Sequence, residues 1–136
     1  MAEGVEQLTI GTVAQTSGLS VHAIRFFERE GLFLRDIPRN AGGRRVFERQ
    51  DVEWLGLCNR LRESGMPLAR IRRFVELVRA GTGNESERLQ LLREHEAEVR
   101  AKIDDLHACL AVIHGKVATY ERHVAEGTAA GVWSPT

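Results

Sequence analysis

The sequence predicts a mainly α-helical protein, in which a winged helix-turn-helix DNA-binding module is followed by one long dimerising coiled-coil helix. Three observations predict this class. Two short helical segments are separated only by Gly18-Leu19-Ser20, an Arg- and Gly-rich segment follows them, and apolar residues near the C-terminus keep heptad spacing.

Two short helices form the predicted helix-turn-helix. Thr9 is an N-cap residue for a helix that ends near Ser17, and Gly18 stops it. Ser20 caps a second helix, residues 21–30, which is the one expected to enter a DNA major groove. Its outer face carries three side chains spaced three and four residues apart: His22, Arg25 and Arg29. A solvated surface face is the alternative interpretation of such residues.

The segment 34–47 predicts an extended hairpin, or wing. Pro38 and the pair Gly42-Gly43 favour a tight turn, and glycine also allows close approach to another surface. The segment carries four arginines that suit phosphate contact or minor-groove insertion: Arg35, Arg39, Arg44 and Arg45. A mobile surface loop with some positive charge is the alternative.

A pair of helices completes the module. Asp51 is predicted to cap a third helix over residues 52–63, and the chain breaks at Gly65-Met66-Pro67 before a fourth helix over residues 68–79. The loop 80–84 contains two glycines and an asparagine, and it separates the module from the long helix.

The last helix, predicted from Leu89 to Val124, carries a coiled-coil seam. Its apolar residues alternate steps of four and three after one gap at Glu96. Such a helix is roughly 54 Å long at 1.5 Å per residue, which is too long to bury its stripe against a small domain. A second copy of the chain is therefore the expected partner, through these residues: Leu92, Val99, Ile103, Leu106, Leu110, Ile113, Val117 and Tyr120.

These elements define the predicted domains. The DNA-binding domain covers residues 8–80, with the helix-turn-helix and wing at 8–48 and the helix pair at 51–80. A hinge at 81–85, an antiparallel coiled-coil helix at 86–125 and a flexible tail at 126–136 follow.

The charge distribution and the cysteine content limit the kinds of protein that this sequence can encode. Residues 1–80 carry 13 Arg and 10 acidic residues, whereas residues 81–136 carry 6 basic and 9 acidic residues, so the positive charge lies in the module. The two cysteines have no metal-binding or disulfide spacing, and the sequence has no apolar run long enough to cross a membrane. A cytoplasmic protein without a metal or other cofactor is expected. No motif predicts an enzyme.

Several motifs together resemble the MerR family of transcriptional regulators. They are LTIGTVA at residues 8–14, LSVHAIRFFEREGL at 19–32, GRRVF at 43–47 and RESGMPL at 62–68, followed by the long helix. Their order and separation make the resemblance specific, and it covers roughly residues 8–124. It is nearest to short members without a separate ligand-binding domain, of the aldehyde- and thiol-stress type.

The resemblance implies a homodimer that binds a pseudo-palindromic promoter site. It also implies distortion of the DNA, through which RNA polymerase is controlled in response to a small-molecule effector, here an organic or stress signal. The residues expected to contact DNA are Thr9, Ser20, His22, Arg25, Phe26, Arg29, Arg39, Arg44 and Arg45.

The chain departs from the family pattern at two positions. Phe26-Phe27 stands where the family usually has two tyrosines, and Val46 stands where a basic wing residue is common. These departures are the only sequence features that support an alternative function, a coiled-coil protein-protein interaction adaptor with a degenerate DNA-binding module.

A sensor residue is harder to assign. Cys58 lies in the third helix, as does the reactive cysteine of the stress-sensing members, but at a position displaced by two. It is either a sensor of electrophiles or a buried packing residue.

Overall fold

The computed structural model describes residues 6–128 and residue 132. It contains five helices: α1 (Ile10–Ser17), α2 (Val21–Arg29), α3 (Arg49–Glu63), α4 (Leu68–Arg79) and α5 (Glu85–Glu126). Over these described residues, extended structure is limited to two isolated antiparallel bridges, Leu8 with Phe47 and Arg39 with Arg45. The mainly α fold class is thus confirmed, while most of the expected tail, 126–136, lies outside the described residues.

Local capping residues set the helix starts, with one correction. Thr9 and Ser20 cap α1 and α2 as expected. Asp51, however, is not the cap of α3: the helix begins earlier, Glu48 is its N-cap, and Asp51 occupies the third helical position of a capping box. There the Asp51 carboxylate accepts a 2.7 Å hydrogen bond from the Glu48 backbone N–H.

One apolar core holds the first four helices together. Val13 from α1, Ile24 and Phe27 from α2, Leu55 from α3 and Ile71 from α4 are all essentially inaccessible to solvent. Trp54 stacks on Phe74 and donates a 2.7 Å hydrogen bond to the Leu32 carbonyl. Burial from every helix explains why this small module packs as one unit.

The compact unit continues past the loop into the beginning of α5. It extends to His95, beyond the boundary at residue 80 that the sequence predicts. Leu91 and His95 are buried, and the His95 imidazole Nε2 lies 2.7 Å from the Ser64 hydroxyl. Leu92, expected in the dimer seam, instead packs partly against the core of its own chain.

The remainder of α5, from Glu96, forms the second unit. The seam residue Val99 is half-buried, whereas the large apolar side chains farther along are exposed. These include Val124 and the seam positions Ile103, Leu106, Leu110, Ile113, Val117 and Tyr120. Among the described helices, α5 included, none combines the length and hydropathy that crossing a membrane requires.

Candidate nucleic-acid interface

A tight turn fixes α2 against α1. The Thr9 hydroxyl accepts from the Thr12 backbone N–H at 3.2 Å, and Gly18 ends α1 with φ 74°, a left-handed conformation that favours glycine. The Ser20 hydroxyl then accepts from the Ala23 backbone N–H at 3.0 Å. Since Ile24 and Phe27 are buried, the opposite face of α2 is held toward solvent.

The segment after α2 forms a narrow wing. Backbone hydrogen bonds run from Asn40 N–H to the Arg44 carbonyl at 2.8 Å and from Val46 N–H to the Pro38 carbonyl at 2.9 Å. The Asn40 side-chain oxygen accepts from the backbone N–H groups of Gly42 and Arg44. These bonds close the turn, so the predicted hairpin exists although it lacks continuous strands.

An open groove of about 970 Å³ lies between α2 and the wing. Five arginines surround it, which gives it strong positive character, together with one carboxylate. The lining residues are Thr9, Ile10, Arg25, Glu28, Arg29, Arg39, Gly43, Arg44 and Arg45.

The structure therefore brings six of the nine expected DNA-contacting residues together. Those six, namely Thr9, Arg25, Arg29, Arg39, Arg44 and Arg45, line the groove. Ser20, His22 and Phe26 do not line it: Ser20 caps α2, His22 is exposed on the same helix, and Phe26 lies half-buried on its other flank.

An ion pair ties the wing to α2. The Arg45 Nε donates to the Glu28 carboxylate, at 2.7 Å from one oxygen and 2.6 Å from the other. Both side chains are partly buried, and they also line a smaller cleft of about 230 Å³. Arg45 is thus held in a defined position.

Phe26 carries a cationic side chain on its ring. The Arg62 guanidinium, which comes from α3, lies 4.7 Å from the ring centroid, and that of Arg29 lies 5.9 Å away. Such cation–π contacts favour a fixed guanidinium position. Phe26 therefore has no hydroxyl that could bind a phosphate, but its ring holds the Arg62 guanidinium beside α2.

Arg35 does not join the groove, contrary to the sequence-based expectation for the wing. Its guanidinium binds the Asp51 carboxylate through two hydrogen bonds, at 3.1 Å and 2.7 Å. The hydrogen bond to Asp51 raises the pKa of the Arg35 guanidinium above its ordinary value. Arg35 consequently anchors the base of the wing to α3 and is engaged within the protein.

Comparison with known proteins places this arrangement in a family. The sequence profile described as MerR HTH family regulatory protein matches residues 8–77, and the one described as MerR, DNA binding, matches residues 52–115. The chain belongs to the MerR family.

Individual relatives agree with this assignment. The MerR-type chain is 33% identical over 127 residues to an uncharacterized HTH-type transcriptional regulator of Haemophilus influenzae, with 93% of each chain covered. It is 35% identical over 107 residues to a mercuric resistance operon regulatory protein of Shigella flexneri, covering 78% of this chain and 72% of that one.

Solved structures give the same result. One is HiNmlR, a MerR family regulator lacking the sensor domain, bound to promoter DNA; it shares 32% identity at a TM-score of 0.85, with 96% of this chain and 98% of that chain covered. Another is a MerR family transcriptional regulator from Bacillus thuringiensis, with 32% identity, a TM-score of 0.75, and 85% of this chain and 100% of that chain covered.

In this MerR-type chain, Cys58 lies inside the core. Its side chain is fully buried, and burial raises the pKa of the Cys58 thiol to about 12. The thiolate is the reactive form of cysteine, so this position favours the packing alternative over the sensor alternative. Cys109 is exposed on α5, and residues 6–128 contain no group of three or more His, Cys, Asp or Glu that could hold a metal ion.

Two residues beside the expected DNA-contacting side chains were not predicted from the sequence: Glu28, which lines the groove, and Arg62, which lies on the Phe26 ring. The expected contacts were selected for positive charge, which a carboxylate on α2 does not carry. The spacing offered a signal for Glu28, which lies three residues after Arg25 and so on a neighbouring part of the same face. Arg62 is 36 positions after Phe26 along the chain, and no local pattern connects them.

Proposed function

We propose that this chain is a homodimeric transcriptional regulator that binds a pseudo-palindromic promoter site and distorts the DNA there to control RNA polymerase. The observation that carries the proposal is the arginine-lined groove between α2 and the wing. Arginine suits both guanine edges and phosphates, because its planar fork donates two parallel hydrogen bonds. The structure of HiNmlR bound to promoter DNA supports this docking, because the HiNmlR chain and this chain are similar in structure.

Within this docking, α2 enters the major groove and the wing follows the neighbouring sugar-phosphate backbone. Arg25 and Arg29 reach base edges or phosphate from α2, while Arg39, Arg44 and Arg45 contact phosphate from the wing. Thr9, Ser20 and His22 add contacts near the ends of the helices. Phe26 contributes through Arg62, whose guanidinium lies on its ring and supplies a phosphate contact on the opposite flank of α2.

The exposed stripe of α5 is the proposed dimer interface. Between residues 103 and 124 the large apolar side chains repeat every three or four residues, and solvent exposure of so many is unfavourable for a single chain. Two copies paired antiparallel through this stripe would separate their recognition helices, as two successive major grooves about 34 Å apart require.

Control of RNA polymerase follows from DNA shape in this proposal. Bending DNA costs several kcal/mol, so the shape of the bound DNA depends on the protein conformation that holds it. A dimer with two conformations can therefore hold the DNA in two shapes. A small organic or stress signal would shift the balance by binding one conformation more tightly. The buried Cys58 thiol favours a signal that binds reversibly over one that alkylates this residue.

The test is selection of random duplex DNA by the purified protein at low salt, followed by sequencing of the retained pool. An inverted repeat with fixed half-site spacing is expected, and an Arg25→Ala protein in a parallel selection should retain no such repeat. Arg60→Ala is the matched control, because it removes the same charge from an arginine that is exposed on α3 and lies outside the groove. Absence of enrichment by the wild-type protein would instead favour the protein-protein adaptor.

A further inference from the structure

A carboxylate in a DNA-binding groove needs a physical reason. Glu28 is the one acidic residue that lines the groove in the described part of the chain, and it lies among five arginines. Its negative charge repels the phosphates that the arginines attract. For a carboxylate about 7 Å from a phosphate in water, Coulomb's law gives a repulsion that reduces affinity about threefold per half-site, hence close to tenfold for a dimer.

The geometry of the ion pair supplies the reason. Both Glu28 oxygens lie within 2.7 Å of Arg45 Nε, so the carboxylate binds the inner nitrogen of the guanidinium. The two terminal nitrogens carry four further N–H groups, which can bind a phosphate while the ion pair persists. Glu28 thereby fixes Arg45 without consuming its phosphate-binding capacity.

The pair also connects two elements that local structure does not join. Glu28 lies on α2, Arg45 lies on the returning side of the wing, and the residues are 17 positions apart. The wing itself is held by isolated bridges, so its separation from α2 depends on side-chain contacts such as this one. A fixed separation sets which phosphate and which base edge the two elements can reach together.

We propose that Glu28 is a specificity-determining positioning residue. Through Arg45 it holds the wing at a fixed distance from the recognition helix, which favours DNA that fits both elements. Its charge also weakens binding to DNA in general. This inference rests on the docking proposed above.

The neighbouring residue Glu30 offers a matched control. It too lies at the end of α2, is similarly exposed (29% against 23% for Glu28) and pairs with an arginine, Arg72 of α4. Glu30 does not line the groove. Glu28→Gln and Glu30→Gln therefore remove the same charge and the same kind of ion pair, but only the first alters the wing.

The experiment measures Kd for the selected inverted repeat and for a scrambled duplex of equal length, over a series of salt concentrations. For Glu28→Gln, affinity for the scrambled duplex should rise about tenfold at low salt, and the ratio of specific to non-specific affinity should fall at least tenfold. Glu28→Asp keeps the charge but is one methylene shorter, so affinity for the scrambled duplex should stay within twofold while the ratio falls, which separates position from charge. Glu30→Gln should change neither affinity more than twofold.

A double variant tests whether Glu28 acts through Arg45. In an Arg45→Gln background, Glu28→Gln should no longer lower the specificity ratio, because the link is already lost. An unchanged ratio in Glu28→Gln, or an equal fall in the Arg45→Gln background, would overturn the inference. Arg25→Ala, measured alongside, tests the docking separately: unchanged affinity there would contradict the proposed function whatever Glu28 does.

Discussion

The two units of this protein use their apolar residues in opposite ways. In the unit that ends at His95, every helix contributes side chains to one buried core, whereas from Ile103 onward α5 exposes its apolar stripe. The same helix belongs to both units, and only its first turns are covered by their own chain. The comparison teaches that heptad spacing identifies an apolar stripe on a helix without showing whether the rest of the same chain covers it.

The largest expected effect comes from a charge in the exposed stripe. Leu110→Glu should weaken dimerisation at least a thousandfold, because it places a carboxylate in the centre of the proposed seam. Analytical ultracentrifugation over a concentration series measures this. Val112→Glu is the matched control: Val112 is as exposed in the monomer but lies off the heptad positions, so its variant should remain dimeric. Equal dissociation of both variants would contradict the seam.

The next-largest expected effect is on the stability of the first unit, where a buried leucine is compared with an exposed one. Leu55→Ala should reduce the free energy of unfolding by about 3 kcal/mol, since it leaves a cavity where Leu55 is fully buried. Leu57→Ala, two residues along the same helix but half-exposed, should cost less than about 1 kcal/mol. Urea denaturation at fixed protein concentration compares them, and similar costs at both positions would contradict the described packing.

The interface residues should show smaller, graded losses. Arg25→Ala is expected to lower affinity for the selected site about 100-fold, because each of the two half-sites loses one base or phosphate contact worth roughly tenfold. Arg45→Ala should cost more than Arg44→Ala, because it also leaves Glu28 without its ion-pair partner in the groove. Fluorescence anisotropy with labelled duplex measures all three. Equal losses for Arg44 and Arg45 would contradict the importance of this ion pair.

Helix positions were largely predictable because capping is local. Thr9 and Ser20 lie next to the backbone N–H groups that they accept from, so the sequence alone indicated the starts of α1 and α2. Asp51 shows the limit of this reasoning. The same acidic residue can cap a helix or sit at its third position, and the choice here depends on Glu48 and on distant Arg35.

The candidate site was predictable in composition but not in its pairings. Arginine content and the wing turn indicated a cationic surface, and six expected residues do line one groove. The contacts of Arg45 with Glu28 and of Arg62 with Phe26 connect residues 17 and 36 positions apart. Such pairs form only after the elements pack, so no sequence period records them.

The smallest expected effect concerns the two cysteines, one in each unit. At pH 7.5 a thiol whose pKa is raised to about 12 is almost entirely protonated, whereas an ordinary cysteine is a thiolate in about one molecule in ten. Native protein should therefore incorporate one equivalent of an alkylating reagent, at exposed Cys109, and a second only after unfolding. Affinity for DNA should change less than twofold after this treatment. Mass spectrometry of the labelled peptides identifies which cysteine is modified. Rapid modification of Cys58, together with altered DNA binding, would support the hypothesis that Cys58 is a sensor of electrophiles.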